Sequence, residues 1–179
     1  MSWWHKLTGQ EKPLPQTAPQ TLGASAPASC PRAAAPGADI LSKILLPEDF
    51  AAVGLSGAGA PDVNSDEPGC AYLVYAGNSG ATGGIEFDVF FSDDPEAVFA
   101  TVTAESQHAR PVSCAQEVGA DDALLETGRN NGRGGKWAGI DVKKGRLVFA
   151  ISLPDSPQAE SQLIALAKLV LARTQREPA

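Results

Sequence analysis

This chain is poor in the groups that most often carry chemistry. Histidines number 2 and cysteines 3, and aromatic residues make up 6% of the sequence. Histidine is the one side chain that titrates near neutral pH and the commonest metal ligand, so its scarcity narrows acid–base and metal chemistry together. The two present, His5 and His108, stand far apart in sequence. Cys30, Cys70 and Cys114 are odd in number and lack any C-x-x-C spacing, which argues against a zinc site. We expect no metal and no cofactor. Long apolar runs are missing too, since no stretch approaches the ~18 residues of a membrane span. The start, Met1-Ser2-Trp3-Trp4-His5-Lys6-Leu7, lacks the basic region and apolar run of an export signal. The expectation is a cytoplasmic protein with no transmembrane segment. Basic charge is short as well: 14 Lys and Arg stand against 21 Asp and Glu, a net charge of −7. That balance argues against a nucleic-acid partner.

What is present is enough apolar material for a core. Hydrophobic residues make up 43% of the 179, with Val, Ile, Leu and Ala supplying most of it, which fits one domain and a tail. Residues 1–38 contain Pro13, Pro15, Pro19, Pro27, Pro31 and Pro36 among Ala, Gln, Thr and Ser, and carry a balance of +2. Such a segment buries too little apolar surface to offset its ordering entropy, so a flexible linker with an aromatic tip is expected there. Residues 39–175 are expected to form a single α+β domain. Residues 39–179 carry the remaining −9.

The clearest local pattern is a β-hairpin running into a helix. Lys136 to Val142 and Arg146 to Leu153 flank a Lys143-Lys144-Gly145 turn, which reads as a type I turn closed by a bulge at Gly145. Leu147, Phe149, Ile151 and Leu153 share one strand face. Beyond Pro154, Ser156 is the expected cap and Pro157 the first position of a helix whose stripe is Leu163, Ile164, Leu166, Ala167, Leu169, Val170 and Leu171. Upstream, Asp39 is the expected cap of a first helix, and Pro47-Glu48-Asp49 opens a second. Residues 55–69 read as a loop, and Cys70 to Ala76 and Ile85 to Phe91 as strands. Asp94-Pro95-Glu96 starts a helix to about Gln107, 111–120 is an irregular return, and Ala123 to Glu126 is a short strand. Adjacent strands on short loops predict an antiparallel sheet of about five strands with helices packed against it.

Several of these stretches resemble a known group. The Cys70-Ala71-Tyr72 strand, the middle helix, the Gly-Ala-Asp-Asp-Ala turn at 119–123, the Lys-Lys-Gly hairpin and the Ala- and Leu-rich last helix are similar to small bacterial lipoprotein domains with a PsbP-like fold. Over residues 39–173 the resemblance implies a non-catalytic binding or accessory module, and it brings no catalytic residues. The chain departs from that group in lacking an export signal and a lipid-attachment site.

Arg129, Arg133, Lys136, Lys143, Lys144 and Arg146 place six basic residues within eighteen positions, around the Gly-rich loop at 128–135. These are the candidate ligand-binding residues for a small anion, because backbone N–H groups of such a loop can face a phosphate. The competing reading is a solvated hairpin whose lysines discourage edge-to-edge pairing. A P-loop is excluded, because Asn130 stands at the first glycine position and Trp137 follows Lys136. Asp62, Asn64 and Asp66 begin a calcium-loop spacing that fails at Glu67 and Leu73. Asp93-Asp94 and Asp121-Asp122 are read as helix-cap and turn acids. Cys114 is the only cysteine near a histidine, and Cys70 and Cys114 either pair in an oxidising compartment or stay small and buried in a reducing one. Trp3, Trp4, Lys6 and Leu7 are the candidate partner-binding residues: a tethered apolar tip can dock on a protein partner, lie at a membrane surface or fold back. The expected function is a non-enzymatic accessory module that binds a protein partner, with an anion-binding domain as the alternative.

Overall fold

Residues 35–64, 68–76, 84–106, 111–130 and 135–175 are described by the computed structural model. They belong to one compact unit, Ala33–Ala179. Trp3, Trp4, Lys6, Leu7, Cys30, His108 and Arg133 lie outside the described residues.

Seven strands form one antiparallel sheet: β1 (Pro61–Val63), β2 (Cys70–Tyr75), β3 (Ile85–Phe91), β4 (Val112–Ser113), β5 (Asp122–Asn130), β6 (Lys136–Lys144) and β7 (Leu147–Pro154). Their spatial order is β1-β2-β3-β7-β6-β5-β4. Among the described residues the helices are α1 (Ala38–Leu41), α2 (Pro47–Ala52), α3 (Pro95–Ser106), α4 (Ala115–Val118) and α5 (Ala159–Thr174). The α+β class and the antiparallel sheet are as expected from the alternation. Two edge strands raise the number from about five to seven, and both had read as loop. β1 and β4 are too short to show a period, and pairing with β2 and β5 is what orders them.

Side chains of a strand alternate between faces, so one set of alternate residues builds the core. That face carries Leu73, Tyr75, Phe87, Val89, Leu125, Ile140, Val142, Phe149, Ile151 and Leu153, all buried. α5 lies over it because Leu163, Leu166, Ala167 and Val170 recur at three- and four-residue spacing and all reach 0% exposure. Leu41, Leu45 and Phe50 of the α1–α2 region complete the layer. The opposite face is covered over β6 and β7 by α3, through Phe99 and Val102. Asp94 caps α3, its Oδ1 accepting the Ala97 N–H at 3.1 Å, as its position before Pro95 indicated.

Three local expectations shift. Lys144 pairs with Leu147, so the hairpin connection is the two residues Gly145 and Arg146, with Gly145 at φ +55°. Lys143 and Lys144 therefore belong to β6, and the twist of the strands favours this shorter turn. α5 starts at Ala159 with Gln158 at its cap, while Ser156 serves the turn before it, its Oγ accepting the Gln158 N–H at 3.3 Å. α1 is capped by Gly37, and Asp39 sits within its first turn.

One ion pair ties the two ends of the domain together. Both terminal guanidinium nitrogens of Arg173, in the last turn of α5, donate to the Asp49 carboxylate of α2 at 2.6 and 2.7 Å. Arg173 also donates to the Ile44 carbonyl at 2.6 Å, and Asp49 accepts the Leu46 N–H at 2.7 Å. Beneath them the Tyr75 hydroxyl donates to the Leu45 carbonyl at 2.7 Å, and its ring packs 4.6 Å from Phe50. Asp49→Ala strands the arginine and removes the helix cap at once. Because the Arg173 side chain is 34% exposed, solvent recovers part of the loss. The expected cost is about 2–3 kcal/mol, read as a lowered urea midpoint with an unchanged slope.

Candidate functional site

Of the six basic residues singled out in the sequence, the five that are described do not come together. β6 separates them: Lys136 begins it and Lys143 and Lys144 end it, and a span of that length is about 25 Å. Arg129, opposite Trp137, and Lys136, opposite Asn130, stand at the base, while Lys143, Lys144 and Arg146 stand at the tip.

At the tip each cation holds a carboxylate. Lys143 Nζ lies 2.6 Å from Glu96 in the first turn of α3 and 5.6 Å from the Phe99 ring centroid. Lys144 Nζ lies 2.8 Å from Asp121, whose other oxygen accepts the Gly145 N–H at 2.8 Å. Arg146 pairs with Asp93 and stacks over Phe91 at 4.6 Å. Asp121 thus closes the turn, and the Gly145 N–H followed by the Lys144 ammonium holds its carboxyl below the usual range. At the base, the β5–β6 register slips by one residue between Glu126 and Arg129, with Gly128 at φ +76°. This bulge keeps Arg129 on the face it shares with Glu126 and lets its guanidinium donate to the Ser106 carbonyl, ending α3. Lys136 is exposed.

The register brings together a group that the sequence did not single out. On the sheet face beside α3, Tyr72, Asp88, Ala150 and Asp141 form one cross-strand row. Val74, Glu86, Ser152, Gly139 and Glu126 form the next. Small residues occupy the middle and carboxylates flank them. Asp141, 2% exposed, accepts from Ser106 Oγ at 3.1 Å. Burial, then the charges of Glu86 and Asp88, push the Tyr72 hydroxyl far above its ordinary pKa. The only sequence signal was the polar half of the 85–91 alternation, which says nothing of the partners across the sheet.

Cys70 and Cys114 do not pair. Cys70 opens β2, and Cys114 follows β4 at the other edge, about 24 Å away across five strand spacings. Burial first, then the carboxylates of Glu117 and Glu160, push the Cys114 thiol up. That is the opposite of what a thiolate nucleophile requires. Among the described residues, no group of three or more His, Cys, Asp and Glu side chains is placed to hold a metal ion. No helix of the described residues is long and apolar enough to cross a membrane. An open cleft of about 430 Å³ lies at the start of α5, lined by Thr127, Asp155, Ser156, Pro157 and Glu160. Asp155 and Glu160 flank the positive end of the helix dipole there, which disfavours a second anion.

Two outcomes follow from this geometry. Asp121→Asn lowers the Tm at pH 6. The deficit shrinks as pH falls, because a carboxyl lowered on folding stabilises above roughly pH 4 and loses that effect once protonated; thermal melts from pH 2 to 7 check it. In a Cys30→Ser/Cys70→Ser background, Cys114 alkylates more slowly at pH 7 than free cysteine and accelerates in urea, which thiol-trapping kinetics measure. Compared with protein-family models, curated proteins and solved structures, the chain matches none.

Proposed function

We propose that this chain is a non-enzymatic accessory module that binds a protein partner through the surface of its α+β domain and through the Trp3-Trp4 arm. The observation that carries the reading is the use of the polar side chains. Lys143, Lys144, Arg146 and Arg173 each hold a carboxylate of the same domain, and the Cys114 thiol is kept protonated. Chemistry-bearing groups thus serve cohesion, while apolar surface stays outside: Val112 is 64% exposed, Ile40 45% and Val63 41%. Strand addition at the edges is poorly supported, since β4 offers two residues and β1 begins with Pro61, which has no N–H. Docking by side chains, with Trp3, Trp4 and Leu7 supplying large apolar contacts beside Lys6, fits better. The resemblance to PsbP-like lipoprotein domains points the same way, toward a binding rather than a catalytic role.

The anion-binding alternative has to contend with the paired cations. A phosphate at the hairpin tip would displace Glu96, Asp121 and Asp93 from Lys143, Lys144 and Arg146. Lys136 stands about 25 Å away along β6 and cannot join them.

Capture from the source lysate separates the possibilities. We expect the full chain to retain a partner that the Trp3→Ala/Trp4→Ala double variant and a chain starting at Ala33 retain several-fold less. Equal retention by all three would move the contact to the domain, and no specific partner for any of them would overturn the reading. Inorganic phosphate is expected to leave the Tm unchanged. A rise that grows with the logarithm of its concentration and disappears in Lys144→Ala/Arg146→Ala would favour the anion-binding alternative instead.

A further inference from the structure

We draw no further inference here: the strongest candidate, the side-chain cluster of Tyr72, Glu86, Asp88, Glu126 and Asp141 on the sheet face beside α3, is an acidic cluster whose carboxylates already interact within the chain, and nothing else there points to a ligand.

Discussion

The β6–β7 hairpin is buried on both faces, and the rest of the domain follows from that constraint. Trp137 to Val142 are all buried in β6, and Leu147 to Ile151 are all buried in β7. Successive side chains of a strand point in opposite directions, so two such strands need a layer above and a layer below. On one side α5 supplies Leu, Ala and Val. The other side is mixed, because Asp141 and Lys143 alternate with the core-facing residues of β6 and Arg129 joins their face from β5. Polar groups taken from water there are costly unless paired. α3 meets that need along its length, with Glu96 and Phe99 at Lys143, Ser106 at Asp141 and the Ser106 carbonyl at Arg129.

That pairing accounts for the cations at the hairpin tip. Cations that look like a binding cluster in sequence are divided by the length of β6, and those at the tip are each matched with an acid. Partially exposed pairs of this kind add little stability singly. Together they orient α3, the 92–94 turn and the 121–122 turn against the hairpin. Among the described residues, the surface keeps the isolated apolar side chains Ile40, Val63 and Val112, and the edge strands β1 and β4 are short.

Much of the fold was legible because its signals are local. Ile85, Phe87 and Val89 alternate with Glu86 and Asp88, and the strand Ile85–Phe91 has the bounds that the pattern indicated. Asp94 before Pro95 marked the start of α3. The candidate site was far less legible. The six cations read as one cluster by their closeness in sequence, although the strand expected from Lys136 to Val142 already implied that Lys136 and Lys143 lie far apart, and the Gly-rich reading of 128–135 hid the bulge that extends β5 to Asn130. β4 and α4 were missed for a related reason: two- and four-residue elements have no period, and α4 is held by Cys114 bonding back to Ala123 and by Gly119 at φ +81°.

By itself the sequence determined the α+β class, the antiparallel hairpin and the apolar stripe of α5, because a period of two or of about 3.6 residues needs only neighbours to be read. Tertiary structure alone decided which groups meet. Arg173 finds Asp49 from 124 positions away, Arg146 finds Asp93 from 53, and Ser106 finds Asp141 from 35. Strand order and register make those meetings, and both are set by how the whole core packs rather than by any one segment.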